Sequence, residues 1–356
     1  MGWKSPSAAS GLRLLAGLAA AIFLFGAVPT EDPVRIPTLD ETLRYLGFDP
    51  AADRARILAG EIVARDFRET TDEEIAVALA VAVPRPLPKV VEWIRSGEGL
   101  RSDHHIVSFG ILSDEPVEAD FAGVSFTAAE AGEVRDLLRA ENGDHFNLSP
   151  EEVRSFQGLA KEWAGRACDA VCLQAVTSRY RSMLLARARA YHARGLDGIA
   201  PYAREEARLH DPTDELRGAV ASATLLSKCF PAYFQALSRY PDAGPVQTSQ
   251  LLWIKQEVQG RPMFALAHRL YYERADAALI TERYFFVGHT FDSMQVVLGC
   301  LPLEGTTVVF YTNRTSTPQV TGLAQATRHS IARKRVIAAV RENLTELQRR
   351  VPPSAN

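Results

Sequence analysis

The sequence predicts an α+β protein in which a curved antiparallel sheet holds a long C-terminal helix, with a large all-helical insertion between two parts of the sheet. Three observations predict this fold class. An alternating apolar run occupies residues 75–83, β-rich runs with short connections recur after Pro245, and an amphipathic helical pattern covers about residues 321–350. Helix-forming residues dominate the long stretch between the first run and the later ones.

These patterns divide the chain into three parts. Residues 1–29 are expected to be an export signal or an N-terminal anchor. Residues 30–126 and 245–351 are expected to form a discontinuous α+β domain, and residues 127–244 the helical insertion. A chain of 356 residues exceeds what one simple core usually holds, so an insertion of this size is a reasonable expectation.

The start of the chain has the order of charge and apolarity found in export signals. Lys4 and Arg13 precede the apolar run LLAGLAAAIFLFGAV, which extends from Leu14 to Val28. The run is short for a bilayer span. Phe25 is large where a cleavage site wants a small residue, so an uncleaved anchor is the alternative. We therefore expect a periplasmic or secreted protein of a bacterial envelope.

Charge and cysteine content narrow the class further. The chain carries 40 basic and 43 acidic side chains, a balance that argues against a nucleic-acid binder. Its four cysteines, Cys168, Cys172, Cys229 and Cys300, permit three pairings if all are joined. On one helix, Cys168 and Cys172 would be imperfectly placed for a mutual bridge, whereas a turn would permit one. A structural disulfide or buried thiols are expected rather than a metal or redox site, because no histidine lies nearby.

The first sheet segment covers residues 60–112. GEIVARDF, which begins at Gly60, and the run IAVALAVAV at 75–83 are predicted strands, the second because β-branched residues alternate with alanine. Three prolines then end the strand, because proline cannot donate a backbone hydrogen bond. The segment KVVEWIRS follows as a short amphipathic helix. HHIVSFGIL, which begins at His104, is a third strand.

Helix-capping patterns mark the middle of the chain. Thr127 with Glu130 and Ser149 with Glu152 both have capping-box spacing, and Pro150 occupies the first helical position of the second box. Four or five helices are therefore expected between residues 127 and 240. They would form a subdomain or a lid over the rest.

The sheet pattern returns as four runs, at residues 263–273, 278–289, 293–301 and 306–314. Their connections are too short for parallel crossovers, so these strands should be antiparallel neighbours.

The chain ends in a helix with one apolar stripe. The stripe consists of Ile337, Val340, Leu344, Leu347 and Val351, and a basic cluster of Arg333, Lys334, Arg335 and Arg341 lies on the other faces. The cluster is either a solvated face or a peripheral membrane contact with anionic lipid headgroups.

This order of elements resembles the START-like, or helix-grip, fold, in which a curved sheet wraps a C-terminal helix around an apolar cavity. The resemblance covers about residues 60–112 and 260–350 and rests on element order. Separately, the segments HTFDSMQVVLG, VVFYTNRTS and CDAVC look like those of a group of uncharacterised bacterial secreted proteins, and no activity comes with that likeness.

Polar residues among the later runs are the candidate ligand-binding groups, namely His268, Arg283, Tyr284, His289 and Arg314. His268 shares strand parity with apolar neighbours and must find a hydrogen-bond partner on that face. A histidine held beside a carboxylate and a guanidinium can act as a general base or orient a polar ligand head. A buried network that fixes sheet register explains the same residues.

The segment GHTFDS at residues 288–293 superficially resembles a nucleophile elbow. Thr290 replaces the serine and Asp292 replaces the second glycine, so a polar corner between two strands is the better interpretation, across which His289 and Asp292 could meet. No phosphate loop, dinucleotide motif, HExxH or CxxC is present, and no cofactor or metal is expected.

Three functional hypotheses remain. The first is an exported protein that binds a lipid or another apolar or amphipathic small molecule in a cavity between sheet and helix. The second is an envelope enzyme that uses histidine acid–base chemistry, and the third is a non-catalytic interaction protein whose helical middle binds a partner.

Overall fold

The computed structural model describes residues 35–143, 145–242, 248–322 and 324–351. The export signal or anchor predicted for residues 1–29 lies outside these ranges. Within them, no helix is both long and apolar enough to cross a membrane.

The strands of the described ranges form one large sheet and one small ribbon. Their bounds are β1 (Val63–Asp66), β2 (Glu74–Val83), β3 (Ile106–Ile111), β4 (Tyr202–Ala203), β5 (Leu209–His210), β6 (Thr248–Val258), β7 (Arg261–Glu273), β8 (Ala278–Val287), β9 (Ser293–Leu303) and β10 (Thr306–Ser316). The large sheet has eight strands in the order β1-β2-β10-β9-β8-β7-β6-β3, and every neighbouring pair is antiparallel. Strands β4 and β5 pair only with each other.

The helices lie before the sheet, within its long connection and at its end. Their bounds are α1 (Leu39–Tyr45), α2 (Pro50–Leu58), α3 (Leu87–Arg95), α4 (Glu98–Ser102), α5 (Ala131–Leu138), α6 (Pro150–Glu162), α7 (Ala170–Arg194), α8 (Pro212–Ala221), α9 (Thr224–Cys229), α10 (Pro231–Arg239) and α11 (Gln325–Arg350). The predicted α+β class, with a curved antiparallel sheet and a long C-terminal helix, is confirmed. The insertion was predicted to be all-helical, and it also contains the short β4–β5 ribbon.

The strands of the large sheet were predicted except β6, and the short strands β4 and β5 were not predicted. Strand β6 contains four consecutive apolar residues, Leu251–Ile254, all buried. Because both faces of the strand are covered, its sequence shows no alternation of apolar and polar residues. Helices α1 and α2 were also not predicted.

Strand β2 shows why its sequence alternates between large residues and alanine. Its large residues, such as Val77 and Leu79, pack in the same core cluster as Val340 and Leu344 of α11. Its alanines face the other way, where Ala78 and Ala80 join the core of α1 and α2. All ten residues of β2 are buried. Because its alanine side chains are small, α1 and α2 can pack close to the strand.

Helix α11 is attached to the rest of the protein in two different ways. Its C-terminal half buries Val340, Leu344 and Leu347 against the sheet. Its N-terminal half is held by polar contacts to the β1–β2 connection, since His329 Nε2 lies 2.7 Å from Asp72 O and Arg333 donates to Glu69 Oε1 at 2.7 Å. The exposed flank of this half stands away from the sheet.

The insertion covers the β6–β8 part of the sheet face opposite α11, whereas α1 and α2 cover the β2 part. Val176, Tyr180 and Leu184 of α7 share a core cluster with Phe264 and Phe286 of the sheet. The two-residue ribbon β4–β5 lies within the insertion, beside its helices. We call the two sides of the large sheet the α11 face and the insertion face.

The cysteines resolve into one disulfide and two free thiols. Cys168 and Cys172 are bridged, whereas Cys229 and Cys300 are free and buried. Cys168 precedes α7, whose N-cap is Asp169, so the pair does not lie on one continuous helix. The bridge therefore joins the segment before α7 to the first turn of that helix.

We predict that Leu344→Ala lowers the free energy of unfolding by about 2–5 kcal/mol, because it leaves a cavity in the core that fixes α11. Leu344 is 2% exposed. The matched control is Lys334→Ala on the exposed flank of the same helix, which should change stability by less than about 0.5 kcal/mol. Urea unfolding compares the two, and equal effects would show that the apolar stripe does not hold the helix.

Candidate functional site

A cavity of about 1200 Å³ lies between α11 and the α11 face of the sheet. We call it the helix–sheet cavity. Its sheet side carries Ile280, Met294, Val296 and Leu298, its helix side Ala332, Val336, Val340, Leu344 and Leu347, and its closed end Trp93 and Leu100. The volume is at the upper end of the range of small-molecule sites, and apolar groups dominate its walls.

The cavity opens along one flank of α11. The exposed residues that line it on the helix include Arg328, Ile331 and Arg335. On the opposite rim, Glu257 and Gln259 at the end of β6 are also exposed. A ligand would therefore enter between the N-terminal half of α11 and the β6–β7 turn.

An ion pair lies on the sheet side of the cavity, which we call its floor. Arg269 and Glu282 are directly paired across β7 and β8, and their side chains are in contact at 12% exposure each. Burial and the adjacent Glu282 carboxylate raise the pKa of Tyr284 well above its usual value, so this phenol stays protonated. The floor thus carries the Arg269–Glu282 ion pair and the Tyr284 hydroxyl in an otherwise apolar surface.

A second polar group on the floor comes from β10. Thr315 Oγ1 donates to Asn313 Oδ1 at 2.8 Å, and Asn313 Nδ2 contacts Met294 Sδ at 3.1 Å. Burial raises the pKa of Tyr311, which also lines the cavity. These residues are held in place by one another and by the sheet.

The five candidate residues do not share one surface, and the expectation that they face a common ligand needs correction. Tyr284 lines the helix–sheet cavity. Successive strand residues point to opposite faces, so Arg283 points to the insertion face instead. His268 is paired with Arg283 in the sheet register and lies on that same face, as does Arg314. His289 lies in the β8–β9 connection.

His268 is sealed under the insertion. Its Nδ1 lies 2.9 Å from Tyr191 Oη and its Nε2 lies 2.8 Å from Ser249 Oγ, and the side chain is 0% exposed. Burial and the Arg283 guanidinium lower the pKa of His268 well below its usual value, so it is neutral. Its partners are hydroxyls rather than the charged groups that sequence reasoning proposed. The contacts match the alternative of a network that fixes sheet register.

Two buried arginines join the sheet to other parts of the chain. Arg283 donates to Leu237 O of α10 at 2.9 Å, and to Tyr191 Oη at 3.3 Å. Arg314 donates to Glu74 at 2.8 Å and lines a separate pocket of about 40 Å³. This pocket has room for water but not for a larger ligand.

The GHTFDS segment is the corner between β8 and β9, not an elbow. His289 Nε2 lies 3.2 Å from Pro262 O, and Nδ1 lies 2.6 Å from Thr290 Oγ1. Asp292 instead pairs with Arg204 at 2.7 Å, so the predicted contact between His289 and Asp292 is wrong. His289 and Asp292 thus contact different neighbours.

Sequence reasoning missed most of the cavity floor. Tyr284 was among the candidates, whereas Glu282, which belongs to the same alternating series from Ile280, was not selected as a ligand-binding residue. Arg269 and Asn313 were not selected either.

No protein-family model matches this chain, and no curated protein sequence matches it. Among solved structures, the chain is similar to a STAR-related lipid transfer protein from Xanthomonas axonopodis, with 7% identity over 82% of this chain and 93% of that one, at a TM-score of 0.36. It is also similar to a START superfamily protein from Mycobacterium smegmatis, with 17% identity over 38% of this chain and 89% of that one, at 0.24. The Zhui aromatase/cyclase from Streptomyces sp. R1128 is matched with 13% identity over 39% and 85%, at 0.25. The arrangement of sheet and C-terminal helix in this chain is the helix-grip arrangement that its element order resembled.

We predict that His289 makes stability depend on pH between about 6.5 and 4. Burial lowers the pKa of His289 to about 4, against about 6.5 in an unfolded chain. The unfolded state therefore binds the extra proton first, and stability falls as the pH drops through this window. Between pH 7 and pH 5 the loss from this residue is about 2 kcal/mol.

The test is urea unfolding of the wild type and of His289→Asn at both pH values. Asparagine keeps a neutral polar side chain, so the variant should lose about 2 kcal/mol less than the wild type over this interval. Parallel pH profiles for the two proteins would contradict the assignment.

Proposed function

We propose that this protein is exported to the cell envelope and binds an apolar or amphipathic small molecule, such as a lipid, in the helix–sheet cavity. The observation that carries the proposal is the cavity itself, about 1200 Å³ enclosed largely by aliphatic side chains of α11 and the sheet. Water released from such walls supplies affinity for an apolar ligand.

The floor indicates a ligand with one polar group. Arg269, Glu282 and Tyr284 lie together beneath the apolar walls, and the charges of the first two already satisfy each other. A hydroxyl, amide or carboxylate of the ligand can exchange hydrogen bonds with this group, which would fix its orientation. The remaining walls accept a hydrocarbon body.

The cavity favours binding over histidine acid–base catalysis. His268 and His289, on which the enzyme hypothesis depends, do not line it. Within the described ranges, the histidine that lines the cavity is His105, which is exposed at the rim. The interaction hypothesis is less favoured because the insertion uses its apolar side chains against the sheet.

The disulfide supports the export part of the proposal. Cys168 and Cys172 are bridged, and such bonds persist in oxidising compartments rather than in the cytosol.

We predict that the full chain binds a fluorescent long-chain fatty acid saturably and that Ala332→Trp weakens this binding about tenfold. Ala332 is half-buried and lines the cavity one turn before Val336. An indole there removes space for about two methylenes, worth about 1.6 kcal/mol. Shorter acids should be affected less.

The control is Ala326→Trp, an exposed position on the same helix that does not line the cavity. Native mass spectrometry of the protein purified from its own envelope provides the second measurement, because a retained lipid identifies the ligand class. Absence of both a retained ligand and saturable probe binding would refute the proposal, as would equal binding by the two tryptophan variants.

We further propose that the rim of the cavity contacts a membrane surface. Ile331 is 48% exposed at the opening, with Arg328 and Arg335 about one turn away on either side. Lys334 adds a further exposed cation. Of the predicted basic cluster, Arg333 and Arg341 are instead engaged, with Glu69 and with Ile62 O. An apolar side chain among cations suits anionic headgroups.

We predict that the protein co-sediments with vesicles containing phosphatidylglycerol but not with pure phosphatidylcholine, and less at high salt. The double substitution Lys334→Glu and Arg335→Glu should weaken this binding, since each basic residue near the surface contributes about 1 kcal/mol. Lys161→Glu, at an exposed site on the insertion, is the control. Equal losses in the two proteins would rule out α11 as the contact.

A further inference from the structure

Four titratable side chains from separate segments converge at the β8–β9 corner. They are Glu73 before β2, His210 of β5, Glu215 of α8 and Asp292 before β9. We call them the corner cluster. Glu73 and Asp292 lie far along the chain from His210 and Glu215, so no spacing motif predicts the cluster. The cluster takes no part in the helix–sheet cavity.

The ligating atoms of the corner cluster lie within a few ångströms of one another. His210 Nε2 is 2.8 Å from Glu215 Oε1 and 3.2 Å from Asp292 Oδ2. One donor atom each of Glu73, His210 and Glu215 lies within 4.8 Å of the other two. The side chains of Asp292 and Glu215 are only 3% and 14% exposed.

Neighbouring groups hold each buried carboxylate by one oxygen and leave the other free. Ser293 Oγ donates to Glu215 Oε2, and Arg204 donates to Asp292 Oδ1 at 2.7 Å. The remaining oxygens, Glu215 Oε1 and Asp292 Oδ2, are buried and have no hydrogen-bond partner. His210 Nε2 is in the same condition despite its short distances to both. His210 Nε2 lies at ion-pair distance from both oxygens, so a metal ion would take the place of an imidazole proton between them.

Glu73, His210 and Glu215 each have one donor atom close enough to share an ion, although the 2.8 Å between His210 Nε2 and Glu215 Oε1 must widen slightly to admit it. Around a metal ion with bonds of about 2.0–2.2 Å, neighbouring ligand atoms lie roughly 3.0–3.5 Å apart. Buried polar atoms without partners are otherwise costly, by about 1–3 kcal/mol each. The carboxylates of Glu73 and Glu215 also bring negative charge to this point, which a dication would balance.

We propose that the corner cluster binds a divalent transition-metal ion of the zinc type through His210 Nε2 and one carboxylate oxygen each of Glu73 and Glu215, with Asp292 Oδ2, 3.2 Å from His210 Nε2, as a fourth group at the site. An imidazole among carboxylates suits such an ion better than Ca²⁺ or Mg²⁺, which prefer oxygen ligands alone. Ser293 and Arg204 act as positioning residues that aim the carboxylates.

The role of the site is structural. Its ligands come from the start of β2, from the small ribbon and α8 of the insertion, and from the β8–β9 corner. An ion there joins the insertion to two distant parts of the sheet, so binding stabilises the native state by mass action.

The test uses the full chain, stripped with EDTA and titrated with Zn²⁺ by isothermal calorimetry and by thermal unfolding. We expect one ion per chain, a raised melting temperature, and no comparable effect of Ca²⁺. His210→Ala should abolish both responses. Glu73→Gln keeps the shape of this half-buried turn residue and should weaken zinc binding about 10–100-fold. If His210→Ala does not fold, the Glu73→Gln variant alone tests the site.

The control is the double substitution His104→Ala and His105→Ala, which removes an exposed, adjacent histidine pair able to bind zinc adventitiously. Zinc binding that survives in Glu73→Gln unchanged, or that disappears in the control, would overturn the proposal, as would the absence of saturable binding. Fatty-acid binding in the same variants is a separate readout, because the corner cluster does not line the cavity.

Discussion

The structure depends on a sheet that is covered on both faces. Successive residues of a strand must point to opposite sides, so each strand of this sheet contributes to two different interiors at once. On one side the insertion packs tightly, with Tyr180 and Phe264 in a continuous core. On the other side α11 touches the sheet along only part of its length, and the uncovered part becomes the cavity.

Buried charge is distributed unequally between these interiors. On the insertion face, Arg283 and Arg314 donate hydrogen bonds to fixed protein groups such as Leu237 O and Glu74. Removing a guanidinium from water is costly, and these contacts offset the cost. On the α11 face, Arg269 and Glu282 satisfy each other beside open space. The contacts of Arg283 and Arg314 hold segments of the chain together. The Arg269–Glu282 pair borders the cavity and can accept a further hydrogen-bonding group.

The fold could be predicted further from the sequence than the site could. Alternation in β2 and the stripe ending in Leu347 define a strand and a helix by periodicity, which is a local property. The choice of ligand face is not local, since both faces of the later strands are apolar. His268 was correctly grouped with Phe264 and Leu266, but those neighbours belong to the insertion core. Nothing in a single strand distinguishes a packed apolar face from one that borders a cavity.

The two attachments of α11 respond differently to their surroundings. Contacts such as those of Arg333 with Glu69 are partly solvated, and exposed ion pairs contribute only about 0–1 kcal/mol each. The aliphatic stripe at the other end excludes water and is insensitive to salt. We therefore expect the N-terminal half of α11 to detach first, while the helix stays anchored from about Val340 onwards. That movement would widen or narrow the helix–sheet cavity without unfolding the sheet that forms its floor.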